Sequence, residues 1–338
     1  MAVVVTYNRC AKLEVTLKRL LETPQNLLTR VIVVDNASTD GTGPWLSAQS
    51  EARLTVITME INAGGAGGFA AGMAEALRPY EARSAASGPA PDWVVRMDDD
   101  ARPAAMSSHA PGAFEAFLAQ DRSASEAWAA AVYYPDGQIC DMNRPSVNPF
   151  QRPRVFWATL FGALRGKSRD MYHIPHAAYE ADTPRPIDIT SFVGFFLKGS
   201  VMREIGLPDP GLFVYGDDVL YSLRLRKAGH RILFAPDVRF EHDCATFDGH
   251  ALRLFTPLWK TYYATRNRLF MYRFAAGPLL FWPLGLGLSL AWLLAARRYP
   301  PKARGVYWTL LWWGIWDALR KRTDRSHDAV RARAADAE

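Results

Sequence analysis

Residues 1–41 read MAVVVTYNRCAKLEVTLKRLLETPQNLLTRVIVVDNASTDG, and this stretch decides the fold. Two short β-branched runs, 2–6 and 31–35, flank a segment from Cys10 to Leu21 that has apolar residues at helical spacing. The pattern predicts a βαβ unit, which contains two parallel strands. Because right-handed crossovers connect such strands, we expect their carboxyl ends to lie along one edge of the sheet, where ligands bind.

The same alternation continues along the chain. Strands are predicted at 53–59 and 92–97, with a helix at about 66–77 between them. After an irregular, proline-containing segment, the later predicted elements are a strand within 187–198, a helix at 215–228, a strand at 231–235 and a basic, aromatic helix at about 252–274. The fold class is therefore α/β, with a mostly parallel sheet and helices on both faces.

Composition narrows the class of protein. The chain has 338 residues, 49% of them hydrophobic, so it can bury a large core and disorder is not expected. The net charge of +6 favours an anionic partner without selecting nucleic acid, lipid or a phosphorylated substrate. Three cysteines without paired spacing fit a reducing compartment, and the N-terminus lacks the pattern of an export signal.

Two apolar segments near the C-terminus predict membrane contact. Residues 274–296 contain no charge and are long enough to cross a bilayer core. Residues 305–316 are shorter, contain four tryptophans and are flanked by cations, which suits the headgroup region. Whether the segments span the membrane or lie on it stays open, and a pair of buried helices in a soluble enzyme is the alternative.

Three consecutive aspartates, residues 98–100, follow the strand 92–97. Alternate residues at a strand end point the same way, so Asp98 and Asp100 can share a site, while Asp99 turns aside or reaches a ribose. Oxygen ligands favour Mg²⁺ or Mn²⁺, which also bind substrate phosphates. A solvated acidic loop is the alternative interpretation.

Further candidate residues follow other strands. Asp35 is the last residue of the strand 31–35 and can accept a hydrogen bond from a base or a ribose. The glycine-rich run 62–69 precedes a helix, and its backbone can approach a ligand closely. Asp217 and Asp218 begin the helix at 215–228, where the helix dipole alone would stabilise them. His242 follows the strand 231–235 and can act as a third metal ligand.

Taken in order, these motifs resemble a known family. The matching segments are Val3 to Arg9, Val34 to Gly41, the triplet 98–100, and Gly216 to Asp218 followed by Leu223 to Gly229. Together they resemble family-two glycosyltransferases with the GT-A fold over about residues 2–270, and look most like bacterial galactofuranosyltransferases. Rhamnosyltransferases are close relatives of that family.

The resemblance implies a role for each matching residue. The nucleotide contacts are expected at Thr6, Arg9, Asp35, Asn62, Asp98 and Asp99. A divalent cation, Mn²⁺ or Mg²⁺, is expected on Asp98, Asp100 and His242. Asp218 is expected to be the catalytic base, and Asp217, Phe195 and Phe196 to contact the acceptor or a sugar ring. The resemblance also implies a division into domains. A transferase domain is expected at 1–251, with its nucleotide half at 1–100 and its acceptor half at 101–251. A membrane-associated helical region is expected at 252–325, followed by a polar tail at 326–338.

The implied function is inverting transfer of a sugar from a nucleotide-sugar donor, with UDP-galactofuranose as the expected donor and dTDP-rhamnose as the alternative. The expected acceptor is a lipid-linked or cell-envelope glycan at the cytoplasmic face of the inner membrane, with the protein peripheral or shallowly inserted. A catalytically silent nucleotide-binding scaffold is the alternative of another class. Nucleic acid is not an expected partner, because the cations cluster around the C-terminal apolar runs. Self-association into a homo-oligomer and polymerisation stay open.

Overall fold

The computed structural model describes residues 1–81, 92–104, 111–163, 165, 168–244 and 255–337. The strands are β1 Ala2–Thr6, β2 Val31–Asp35, β3 Leu54–Thr58, β4 Trp93–Asp98, β5 Ala101–Pro103, β6 Ala127–Tyr133, β7 Arg185–Ile187, β8 Phe195–Lys198 and β9 Ile232–His242. The helices are α1 Cys10–Glu22, α2 Thr42–Ser47, α3 Gly64–Glu81, α4 Ala113–Ala119, α5 Pro153–Ala163, α6 Ser168–Tyr172, α7 Gly199–Ile205, α8 Asp217–Lys227, α9 Lys260–Ala295, α10 Pro301–Leu319 and α11 His327–Ala335.

The described strands form one mixed sheet in the order β3-β2-β1-β4-β8-β6-β9-β5, and β7 pairs with β9. Strands β1 to β4 are mutually parallel, as the sequence predicts. Strand β8 then runs antiparallel between β4 and β6. The parallel half therefore brings the ends of β1, β2 and β4 to one edge, and the α/β fold class is confirmed.

Two predicted strands differ from the structure. The run 187–198 is divided between β7 and β8, because the segment between them forms a turn with Gly194 at φ 66°. The predicted strand 231–235 continues to His242 in β9, because its later half pairs with β5 and β6. That extension carries His242 to the end of a strand beside the aspartate triplet.

Helices cover both faces of the parallel half. Ala2 and Val4 pack in the same buried cluster as residues of α1, and Val3 and Val5 pack with residues of α3. A Cβ atom at Gly68 would come within 2.5 Å of Val5 Cγ1, so this glycine lets α3 lie close to β1. Part of the glycine-rich run thus serves helix–sheet packing.

The C-terminal helices differ from their predicted bounds. The predicted helix 252–274 starts partly outside the described residues, and α9 begins at Lys260 and continues through the predicted apolar run to Ala295. It bends at Gly277, whose φ of 73° and ψ of 175° are not helical. The expected polar tail at 326–338 instead contains α11, whose Val330 and Ala334 are buried against α9 and α10 in a third apolar cluster.

One helix within the described residues, at 260–298, is long and apolar enough to cross a membrane, and its most apolar 18-residue window has a mean hydropathy of 1.9. Only 17% of its most apolar window is buried, which is unlike the core helix of a soluble protein. Past the bend, large apolar side chains face outward, with Leu279 88% exposed. On α10, Trp308, Trp312 and Trp316 form an exposed stripe at helical spacing.

Candidate functional site

The aspartate triplet and His242 meet at the end of the sheet. Strand β4 ends at Asp98, and β5 pairs Ala101 with His242 at the end of β9. Ligand atoms of Asp98, Asp100 and His242 all lie within 4.8 Å of one another. His242 Nε2 is 3.1 Å from Asp100 Oδ1. The three residues predicted to bind a metal are therefore held together by the strand pairing.

A second contact orients the His242 ring. Its Nδ1 lies 2.7 Å from Asn143 Oδ1, which can only accept a hydrogen bond, so Nδ1 carries a proton and Nε2 faces the carboxylates. Burial opposes the charged ring, but its bond with Asp100 raises the pKa of His242 to about 10. Without a cation the ring is therefore protonated, and a metal bound at Nε2 would replace that proton.

Crowded carboxylates make this position favourable for a cation. Burial raises the pKa of Asp98 to about 7; His242 opposes the rise, whereas the charges of Asp100, Asp99 and Asp218 add to it. Two carboxylates and one neutral imidazole are a donor set that suits Mn²⁺ or Mg²⁺. The residues present therefore fit the expected divalent cation.

Arg9 and Thr6 tie the first loop to the triplet. Arg9 Nη1 lies 2.6 Å from Asp100 Oδ2 and 3.4 Å from Asp99 Oδ1, and Thr6 donates to Asp99 Oδ2 at 2.8 Å. The exposed Arg9 side chain lines an open cavity of about 790 Å³ beside Asp100. Such a cavity next to a cation site has room for a nucleoside diphosphate.

Lys12 belongs to the same cavity and was not predicted. It lies one helical turn after Arg9 on α1, and its Nζ is 2.5 Å from Asp243 Oδ2. The three-residue spacing from Arg9 was the sequence signal that could have identified it, because residues three apart share a helix face. Asn143 gave no such signal, since it lies in an isolated 3₁₀ turn.

The structure places Asp35 and Asn62 in turns near this edge. Asp35 is buried and its Oδ1 accepts from the backbone N–H of Ser38 at 3.0 Å. Asn62 Oδ1 accepts from Asn36 Nδ2 at 3.1 Å and from the Gly64 N–H at 2.8 Å. Both side chains hold loops in place here, and their nucleotide contacts stay predictions.

The second carboxylate pair begins α8. Burial raises the pKa of Asp217 to about 8, with the charges of Asp218 and Asp98 adding to the rise. Burial likewise raises the pKa of Asp218 to about 6, while the N–H of Val219 donates to Asp218 Oδ1 at 2.7 Å. Asp98 and this pair are close enough for their charges to raise each other's pKa.

The prediction that Phe195 and Phe196 form a wall under a sugar ring is wrong. They lie on β8, between β4 and β6. Phe195 belongs to one buried apolar cluster and Phe196 to the other. Phe195 is 0% exposed and packs against the Arg96 guanidinium, 4.3 Å from the ring centre. Phe196 is 2% exposed and stacks on Phe117. Both are core residues.

A group of softer ligands adjoins the metal-binding aspartates. Cys140, His242 and Cys244 also have ligand atoms within 4.8 Å of one another, although the two cysteines are distant in sequence. A hydrogen bond with Cys244 lowers the pKa of Cys140 to about 5; burial opposes this and His242 adds to it. Thiolates and imidazole suit thiophilic cations such as Zn²⁺ or Cd²⁺. His242 therefore belongs to two alternative ligand sets.

Comparison with known proteins identifies the family. The family described as glycosyl transferase family 2 matches residues 1–108. Galactofuranosyltransferase GlfT1 of Mycobacterium tuberculosis is 30% identical over 250 residues, covering 72% of this chain and 70% of that protein. Its namesake in Mycolicibacterium smegmatis is 28% identical over 246 residues, covering 72% and 71%.

A solved structure shows the same fold. S. aureus TarS, residues 1–349, superposes with a TM-score of 0.52 at 14% sequence identity. The match covers 99% of this chain and 88% of the TarS chain. At that identity the similarity concerns the fold alone.

Proposed function

This chain belongs to glycosyl transferase family 2 and is a glycosyltransferase, and from that premise we propose that it transfers galactofuranose from UDP-galactofuranose to a lipid-linked glycan. The observation that carries the proposal is the convergence of Asp98, Asp100 and His242 within 4.8 Å at the sheet edge, beside Arg9 and apart from the pair at α8. The 30% identity to a protein named a galactofuranosyltransferase supports the donor.

The donor is bound by the metal-binding residues and by the cavity beside them. A divalent cation bound by Asp98, Asp100 and His242 would offset the charge of the diphosphate as the glycosidic bond breaks. Arg9 and Lys12 line the adjoining cavity and present positive charge to the same group. Asn143 holds the His242 ring so that Nε2 faces the carboxylates. The diphosphate is thus oriented as a leaving group.

The acceptor side uses the carboxylate pair. Asp218 takes the proton of the incoming hydroxyl, and Asp217 orients that hydroxyl from the neighbouring position on α8. Attack opposite the departing diphosphate is a single in-line displacement, which inverts the anomeric centre. Inversion is typical of this family.

Donor choice and metal dependence are tested together. The purified protein is incubated with a polyprenyl-diphosphate-linked acceptor and either UDP-galactofuranose or dTDP-rhamnose, with Mn²⁺ or with a chelator, and release of nucleoside diphosphate is measured. We expect Mn²⁺-dependent release of UDP, with at least about tenfold preference over dTDP-rhamnose. Preference for dTDP-rhamnose, or undiminished transfer with the chelator, would contradict the proposal.

A matched pair of variants ties the activity to the site. Asp98→Asn removes one ligand charge and is expected to lower the rate by about 10²-fold or more. Asp182→Asn makes the same chemical change at an exposed position and is expected to leave the rate unchanged. Equal rates for the two variants would remove Asp98 from the mechanism.

A further inference from the structure

A second cavity, of about 590 Å³, is lined by Asp217 of the carboxylate pair and by none of the residues that line the first cavity. It lies between α8 and the first half of α9, and the turn after α10 closes it. Asp217 lines it, whereas Arg9 and Asp100 line the other cavity. A ligand here would therefore approach Asp217 from the acceptor side.

The wall of this cavity carries uncompensated positive charge. Lys227, Arg273 and Lys321 line it, and none of the three forms an ion pair with a carboxylate in the part of the chain that the structure describes. Lys227 and Lys321 are exposed, and Lys227 Nζ lies 5.3 Å from the centre of the Phe274 ring. Two aspartates, Asp209 and Asp217, also line the cavity, so its cations outnumber its carboxylates. The excess of positive charge favours an anionic ligand.

The same cavity is apolar where it meets α9. Phe270, Phe274 and Pro278 line it, and the bend at Gly277 lies at its rim. Beyond the bend, outward-facing leucines and tryptophan continue along α9. Cations next to the end of an exposed apolar helix match the chemistry of a phosphorylated lipid. Its charged group would lie in the headgroup region and its chain in the apolar layer.

We propose that this cavity binds the phosphate or diphosphate group of a polyprenyl-linked acceptor, whose isoprenoid chain lies along the apolar half of α9 past Gly277. The inference rests on the proposed function, because it identifies the site of that acceptor. The charged group meets Lys227, Arg273 and Lys321, and the attached sugar extends toward Asp217. Free phosphate shares the charge chemistry but lacks the chain.

The test uses farnesyl diphosphate as the probe, titrated calorimetrically into the full chain in detergent. Inorganic pyrophosphate and farnesol are the two comparison ligands. We expect farnesyl diphosphate to bind at least about tenfold more tightly than either, because only it fills both the charged and the apolar parts. Equal binding of pyrophosphate would overturn the lipid assignment.

Paired double variants locate the binding. Lys227→Gln with Lys321→Gln removes two cavity charges, and we expect about tenfold or greater weakening of farnesyl diphosphate binding. Arg297→Gln with Arg298→Gln removes two exposed charges outside the cavity, and binding should stay within about twofold of the parent. Equal weakening of farnesyl diphosphate binding in both pairs would show that net charge alone causes the effect, and it would refute the site.

Kinetics separate this inference from the proposed function. The cavity variants should raise KM for the lipid acceptor about tenfold while UDP binding, measured as protection against thermal unfolding with Mn²⁺, stays unchanged. Intact farnesyl diphosphate binding in a chain that fails to transfer galactofuranose would refute the proposed donor and leave the cavity assignment standing. Normal transfer with an unchanged acceptor KM in the variants would refute the cavity alone.

Discussion

Asp218 lies in the first turn of α8, and burial raises its pKa to about 6, which is within the pH range where activity can be measured. A base must be ionised to accept a proton, so transfer should rise as pH increases through about 6. Asp218→Asn should lower kcat by about 10²- to 10⁴-fold and remove this rising limb, with UDP binding retained. A pH–rate profile with saturating donor measures both; a retained limb in the variant would assign the base elsewhere.

The shared use of His242 predicts inhibition by a thiophilic cation. Cd²⁺ bound by Cys140, Cys244 and His242 would take the imidazole from Asp98 and Asp100, and transfer should fall several-fold at micromolar Cd²⁺ in the presence of Mn²⁺.

Cysteine variants supply the control for this effect. Cys140→Ala with Cys244→Ala should remove the sensitivity to Cd²⁺, whereas Cys10→Ala should keep it, because Cys10 is not part of this ligand set. The measurement is the Cd²⁺ concentration that halves the initial rate. Unaltered sensitivity in the double variant would contradict the ligand set.

Residues within local motifs could be predicted, and residues brought in by tertiary contacts could not. Asp98 and Asp100 follow a strand that is visible in the sequence, so their place at the sheet edge follows from strand direction. Phe195 and Phe196 were misassigned because a Gly-Phe-Phe run does not reveal that β8 lies inside the sheet, with one phenylalanine in each buried cluster. Asn143 was missed because only folding brings its turn to His242.

At the scale of elements, α5 has an exposed apolar face. Trp157 is 54% and Phe161 57% exposed, and Arg154 and Arg165 near the two ends are also exposed. The residues just before α5 contact α9 near its bend, where Asn148 Nδ2 donates to the Ala275 carbonyl oxygen at 3.2 Å. An amphipathic helix at that level is suited to lie in the headgroup region.

Vesicle binding tests this role of α5. Trp157→Glu with Phe161→Glu should weaken partitioning onto anionic phospholipid vesicles by about tenfold or more, since two large apolar side chains would no longer be buried in lipid. Val15→Glu with Val56→Glu introduces the same charges at exposed apolar positions of α1 and β3, and serves as the control. Equal losses in the two pairs would show that added charge, rather than α5, sets the affinity.

Helix and strand bounds were predictable where hydrophobic periodicity is local. Strands β1 and β2 coincide with the predicted runs 2–6 and 31–35. The predicted helix 252–274 and the apolar run 274–296 correspond to the two arms of α9, which join at Gly277, where φ and ψ are not helical. The predicted junction at 274 therefore lies close to the observed break.

At the scale of the whole molecule, the C-terminal helices are part of the folded body. Asp317 on α10 accepts from the Tyr262 hydroxyl at 2.8 Å and pairs with Arg325 at 2.7 Å. Arg266 on α9 donates to the carbonyl oxygen of Gly211 at 2.6 Å, just before the segment that leads into α8. Removing these helices would therefore uncover a core and disturb the segment that leads to the carboxylate pair of α8.

Two glycines of α10 test this integration. A Cβ atom at Gly314 would come within 2.9 Å of Thr265 Cβ and of the Tyr262 carbonyl oxygen, whereas one at Gly305 would meet nothing within 4 Å. Gly314→Ala should lower the free energy of unfolding by about 1–3 kcal/mol, and Gly305→Ala should raise it slightly. Denaturant unfolding in detergent measures both, and equal changes would argue against tight packing of α10 on α9.

The proposed acceptor site lies next to the bend at Gly277, because Asp217, Gly277 and Pro278 line one cavity. In that proposal, the distance from Asp217 to the lipid-facing end of the site is no more than the length of the cavity. An acceptor anchored in the bilayer must place its reactive hydroxyl within that short span. On this proposal each added sugar moves the growing end farther from the anchored phosphate, and we expect transfer to slow once that distance exceeds the length of the cavity.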